Sequence, residues 1–182
     1  MNLPNKLTMF RIVLIPVLVL FYYLWVITND RLFNFFLAPI FVVAALTDFF
    51  DGYIARKQNL VTVFGKFLDP LADKLIVMAA LLLLNGMGKV PVWVTIIILS
   101  REFIVTGIRL VAVGEGKVIA ASKLGKVKTA ITMVGIVFML LFPYWYLFAD
   151  IGIYVIYLGT LFTIISGVEY FVKNKDIITS SM

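Results

Sequence analysis

Neither cysteine nor histidine occurs in the 182 residues. Their absence excludes disulfides, thiolate nucleophiles, Ser-His relays, zinc sites of the usual kind and haem held by imidazole. A metal bound here must be held by oxygen, and carboxylates and carbonyls favour hard cations such as magnesium, manganese or calcium. Charge is scarce as well. Only 14% of residues are Asp, Glu, Lys or Arg, against 63% hydrophobic, and the mean hydropathy is +1.07. A soluble domain is about half apolar, so the surplus points to a bilayer as solvent. Formal net charge is +6, and its placement says more than its total.

Six segments have the length and apolarity of membrane spans, for which about 20 residues are needed: 7–27, 32–55, 69–84, 90–113, 127–143 and 148–172. Each must be helical, because backbone polar groups in lipid have to pair within their own segment. The first could be mistaken for a signal peptide. It is too long for such an apolar core, contains Arg11 and lacks a small-residue cleavage site, so it reads as a retained helix. The connections alternate in charge. One side carries Lys6, then Arg56, Lys57 and Lys66, then Lys117, Lys123, Lys126 and Lys128, then Lys173 and Lys175. The other carries the turns 28–31 and 86–89 and the aromatic connection 144–148 with Asp150. By the positive-inside rule both termini are expected in the cytoplasm. Tyr22, Tyr23, Trp25, Trp93, Tyr144, Trp145 and Tyr146 then form an aromatic belt at the opposite interface. One domain over 1–182 is expected, without internal repeats.

Four carboxylates sit where a membrane helix should have none. Asp48 and Asp51 end the second segment, three residues apart; Asp69 and Asp73 open the third, four apart. Both spacings put a pair on one helix face, and the expected short loop 56–67 turns the chain back so that the pairs face each other. Counted from Leu32, Asp48 and Asp51 lie about 24 and 28 Å along the helix, at the margin of a hydrocarbon core about 30 Å thick. A carboxylate there is costly unless paired or metal-bound, and marks function by default. One or two divalent cations would relieve the mutual repulsion, and paired ions are a common clamp for phosphoryl chemistry. Gly52 and Gly65 leave room for a close approach to the backbone. Structural readings exist for each acid. Asp69 before Pro70 could be a helix N-cap, Asp73 an exposed first-turn acid, and Asp48 and Asp51 partners of Arg56. They do not account for four acids at one depth on one side.

The pattern Asp-x2-Asp-Gly-x2-Ala-Arg-x8-Gly-x3-Asp-x3-Asp, complete from Asp48 to Asp73, resembles the signature of the CDP-alcohol phosphatidyltransferases. The resemblance implies that Asp48, Asp51, Asp69 and Asp73 bind two magnesium ions, or manganese in their place, and that Asp73 also takes the acceptor's proton. It implies that Gly52, Arg56 and Gly65 hold the CDP moiety, and that Asn5, Thr8 and Arg11, a polar stripe spaced three apart, line its nucleotide side. It also implies a homodimer. The expected fold is an all-α membrane protein of six transmembrane helices with a polar cavity at the cytoplasmic side.

The fourth segment bears on the acceptor. Ser100, Arg101, Glu102, Thr106 and Arg109 occupy its second half, and Glu102, Thr106 and Arg109 share one face. That face must meet protein or a wet cavity. Arg101 and Arg109, with Lys126 and Lys128 beyond, suit a phosphate-bearing acceptor; Lys123 and Lys126 could equally follow positive-inside or touch anionic headgroups. The stretches 101–109 and 125–129 and the opening Asn2-Leu-Pro-Asn-Lys-Leu-Thr8 resemble the bacterial branch of the family that uses glycerol-3-phosphate. Lys123-Leu124 departs from it, since an aromatic residue is expected there. The expected reaction is direct transfer of the phosphatidyl group from CDP-diacylglycerol to glycerol-3-phosphate, with membrane lipids around the enzyme and no nucleic-acid partner. The rivals are a family member using serine, inositol phosphate or phosphatidylglycerol, and a divalent-cation transporter. Against the transporter, no acidic path continues to the outer side.

Overall fold

A computed structural model of the chain describes residues 3–58, 63–114, 122–141 and 146–175. These form six helices: α1 Leu3–Thr28, α2 Arg31–Gln58, α3 Val63–Gly86, α4 Val92–Gly114, α5 Lys123–Leu141 and α6 Tyr146–Lys173. The ends follow from local chemistry. Asn29 closes α1 in the left-handed conformation (φ 53°), its N–H donating to the Trp25 carbonyl at 2.8 Å. Asp30 caps α2 by accepting from the Leu32 N–H at 2.9 Å. Gly88 (φ 69°) makes the sharp turn after α3, where Asn85 reaches across to the Val90 carbonyl at 2.7 Å. Ser122 caps α5, its Oγ accepting from the Gly125 N–H at 3.0 Å.

The third helix begins earlier than the sequence suggests. α2 continues to Gln58 and α3 starts at Val63, so the connection is 59–62 rather than 56–67. Asp69 and Pro70 lie in the second turn of α3, which rules out an N-cap role for Asp69. Val63, Phe64, Phe67 and Leu68 open the helix, but Gly65, Lys66, Asp69 and Pro70 interrupt them, so the continuous apolar run reads as starting later.

The core is threaded between the helices by Leu18, Leu37, Phe41, Leu81, Leu84, Val94, Ile98, Ile136, Leu140 and Ile156. α5 and α6 pack most extensively, followed by α1 with α2; α3 touches α1, α2, α4 and α5, and α4 also packs on α6. The outside is as apolar as the inside. Val13, Leu20, Ile27, Trp93, Phe103, Leu110, Tyr154, Val168 and Val172 are all more than half exposed, an inversion of the rule for water-soluble chains. Three helices hold stretches long and apolar enough to cross a membrane: Asn5–Thr28, Leu124–Leu141 and Asp150–Lys173. In α2 the apolar part Arg31–Thr47 is shorter. In α4 every window of spanning length takes in Arg101, Glu102 and Arg109.

Of the expected aromatic belt, Tyr22 packs edge-on against Tyr23 and lies beside Trp25, while Trp93 stacks on Tyr157 with ring centroids 5.9 Å apart. Tyr144 and Trp145, and the side chain of Tyr146, lie outside the described residues.

Candidate active site

α3, which carries the second half of the sequence motif, packs against α4 and α5. Between α3, α4 and α5 lies a cavity of about 360 Å³, a volume suited to a small ligand. Its walls are apolar where Leu75, Met78, Ile98 and Leu110 meet, and polar where Asp73, Lys74, Glu102, Thr106, Lys128 and Thr129 converge. The sequence expectation that Glu102 and Thr106 face protein or a cavity is met by both.

Each polar residue reaches the cavity from a helix that fixes it. Lys74, on α3 directly after Asp73, donates to Thr106 Oγ1 on α4. Thr106 in turn donates to the Glu102 carbonyl one turn back, at 2.6 Å. Glu102 pairs with Lys128 of α5, and Arg101 approaches the same carboxylate oxygen at 3.5 Å. Lys74, Arg101, Arg109 and Lys128 lie close enough to repel one another, with Asp73 in attraction to Lys74 and Lys128.

Arg101 threads between α5 and α6. A side chain at Gly125 would meet its guanidinium, and one at Gly167 its stem, each at 3.4 Å. Arg109 lies over the Tyr170 ring of α6, 5.6 Å from the centroid. The Nε of both arginines is buried and has no hydrogen-bond partner among the described residues.

The residues predicted from sequence divide three ways. Asp73, Arg101, Arg109 and Lys128 are brought together with Glu102 and Thr106. Asn5, Thr8 and Arg11 share a buried face of α1, at 8%, 1% and 0% exposure, which a lipid-facing snorkelling arginine would not show. Lys126 is exposed and is not among the residues that line this cavity. Asp48, Asp51, Gly52 and Arg56 are in α2, and Gly65 and Asp69 in α3; their side chains lie outside the described residues. No three acidic groups gather around one point among the described residues, and of the four motif carboxylates only Asp73 is among them. The backbone bears on metal binding nonetheless. α2 and α3 pack together and carry the four motif aspartates at sequence spacings of three and four, and carboxylates are ligands that suit hard divalent cations.

Two residues were missed from sequence. Lys74 had a usable signal, since a lysine heading the apolar run 75–84 is as anomalous as Arg101. Tyr170 had none, being one aromatic among many.

Comparison with known proteins follows from this geometry. The family model described as CDP-alcohol phosphatidyltransferase matches residues 1–165. A protein of Bacillus subtilis (strain 168), named CDP-diacylglycerol–glycerol-3-phosphate 3-phosphatidyltransferase, is 45% identical, covering 99% of this chain and 98% of the relative. Proteins of the same name are 40% identical in Rickettsia felis (96% of each chain) and 39% identical in Escherichia coli K12 (93% and 92%).

Proposed function

The chain belongs to the CDP-alcohol phosphatidyltransferase family, and from that premise we propose how its site works. It transfers the phosphatidyl group of CDP-diacylglycerol to the sn-1 hydroxyl of glycerol-3-phosphate, giving phosphatidylglycerophosphate and CMP. The observation that carries this reading is the single cavity in which Asp73 faces Lys74 and Lys128. A base for a hydroxyl and cations for a phosphate are what a phosphorylated alcohol needs from one site.

Asp73 takes the proton of the acceptor hydroxyl. That oxygen attacks the phosphorus bearing diacylglycerol, the bond from this phosphorus to the bridging oxygen breaks, and CMP carries the bridging oxygen away. Arg101, Arg109 and Lys128 hold the acceptor's own phosphate, fixing which hydroxyl meets Asp73. Asn5, Thr8 and Arg11 on α1, with Gly52, Arg56 and Gly65, hold the CDP moiety. Asp48, Asp51, Asp69 and Asp73 would hold two magnesium ions, or manganese, which neutralise diphosphate charge when bound.

All six helices span the membrane, with both termini and the cavity on the cytoplasmic side, and the enzyme works as a homodimer. Support for the spans comes from the apolar exterior, the three long apolar helices and the basic residues gathered on one side.

The test is reconstitution of the purified protein with CDP-diacylglycerol and magnesium, following CMP release with glycerol-3-phosphate, serine, inositol phosphate or phosphatidylglycerol offered separately. Release with glycerol-3-phosphate alone is expected. Turnover with another of the four would overturn the acceptor and keep the transferase.

A further inference from the structure

We propose that Glu102 is a built-in stand-in for the acceptor's phosphate: it holds Lys128 while the cavity is empty, and the entering phosphate displaces it. This rests on the reading of the cavity as the acceptor site.

Three observations carry it. First, Glu102 and Lys128 are an ion pair in the cavity wall, and its partners are unequally buried. The Lys128 side chain is 5% exposed and that of Glu102 21%. The acid is therefore the partner with room to swing away, while the lysine stays in place to receive a new anion. Second, α4 treats the other lysine alike. Thr106, one turn from Glu102, accepts from Lys74, so α4 engages both lysines of the cavity with its own oxygens. Third, the arginines are not satisfied in this way. Arg101 reaches the Glu102 carboxylate only at 3.5 Å, and the Nε of Arg101 and of Arg109 is buried without a partner among the described residues.

The charge balance agrees. Lys74 and Lys128 line the cavity with Asp73 and Glu102, and Arg101 and Arg109 lie close enough to add to the positive field among the described residues. Several phosphate oxygens can engage Lys74 and Lys128 at once in that field, where a carboxylate with one attachment point satisfies mainly Lys128. Glu102 thus keeps a buried lysine paired between turnovers. It also sets a threshold that anions with fewer acceptor oxygens do not pass. When the acceptor's phosphate leaves with the lipid product, Glu102 returns to Lys128 and helps to expel it.

The experiment measures binding and turnover separately on the full-length protein in nanodiscs. Inorganic phosphate is titrated calorimetrically into the parent, Glu102→Gln, Glu102→Asp and Lys128→Met, and KM for glycerol-3-phosphate is measured for the same set. Removing a competing charge a few ångströms from the ligand should tighten phosphate binding in Glu102→Gln by about tenfold, lower KM in the same direction and slow product release. Glu102→Asp, which keeps the charge and shortens its reach, should lie between parent and Gln, and covers the case in which the Gln variant does not fold. Lys128→Met should weaken phosphate binding.

Weaker or unchanged phosphate binding in Glu102→Gln and Glu102→Asp, with the parent turning over glycerol-3-phosphate, would overturn the inference and leave the function standing. Tighter phosphate binding in a protein that never uses glycerol-3-phosphate would keep the stand-in role and remove the acceptor assignment.

Discussion

Asp73 and Lys74 are neighbours in sequence and line one cavity, Lys74 reaching Thr106 on α4 and Asp73 attracting both Lys74 and Lys128. If Asp73 is the base and a metal ligand, Asp73→Asn keeps the size and removes both the proton-accepting carboxylate and its charge. Its kcat for CMP release should fall by roughly 10²–10⁴-fold with KM for glycerol-3-phosphate changed little; a kcat within twofold of the parent would remove Asp73 from the chemistry. Arg109 offers a second test. It lies over Tyr170 with a buried Nε, so Arg109→Lys keeps the charge and loses the planar fork. KM for glycerol-3-phosphate should rise by about tenfold while kcat is largely kept, as initial-rate kinetics would show. Much of this was legible in the sequence. Ionisable residues inside apolar runs are costly enough to announce themselves, and Arg101, Glu102, Arg109 and the α1 stripe Asn5, Thr8 and Arg11 were found in this way. What could not be read was pairing. Nothing in the chain states that Glu102 meets Lys128 or that Thr106 takes Lys74, because those contacts depend on how α3 and α5 are rotated about α4.

At the scale of elements, the α5–α6 pair shows why its glycines are where they are. A Cβ on Gly135 would lie 2.6 Å from Ile156 Cγ1 and 3.1 Å from the Ile156 nitrogen, and one on Gly152 would lie 3.2 Å from the Met139 nitrogen. The backbones approach so closely that only hydrogen fits, as in membrane helix pairs built on small residues. Gly135→Val should therefore cost about 1–3 kcal/mol through overpacking, whereas Gly107→Ala, which meets nothing within 4 Å, should be neutral or stabilise by about 0.5–1 kcal/mol through helix propensity. Denaturation of the purified protein in mixed micelles measures both, and equal effects would contradict the packing described. The helix count was legible, as were the turns at 28–31 and 86–89, where Asn29 and Gly88 take positive φ. The start of α3 was not, because Gly65, Lys66, Asp69 and Pro70 interrupt the apolar residues that open it.

At the scale of the whole molecule, the chain trades apolar length for a site. α4 is interrupted by Arg101, Glu102 and Arg109; Glu102 lines the cavity, while the two arginines pack beside it towards α5 and α6. If α4 spans as proposed, composition alone undercounts the spans of a membrane enzyme wherever ionisable groups are turned inwards. The proposed topology is directly testable, since a chain without cysteine accepts single reporter thiols against a silent background. Asp150→Cys should react with an impermeant maleimide on intact cells, and Lys6→Cys and Lys175→Cys only after lysis. Labelling in the reverse order would invert the molecule.

The turn between α3 and α4 is recessed, and this has a consequence for the surrounding lipid. Tyr22 abuts Gly86, yet α1 runs six residues further, about 9 Å along its axis. Lys89 donates to the Met139 carbonyl at 3.4 Å, and α6, which crosses α5 near Met139 at Gly152, begins six residues before that crossing. Both flanking hairpins thus stand proud of the turn. Burial there lowers the pKa of Lys89 below its ordinary value, so its ammonium is less costly where headgroups and water can reach it. A leaflet that follows this outline has to sag over the turn, bringing its headgroups towards Lys89. Bilayer thickness then becomes a variable the enzyme feels: if the helices span as proposed, thicker membranes must bend further to cover the notch, and the elastic work is stored around this turn.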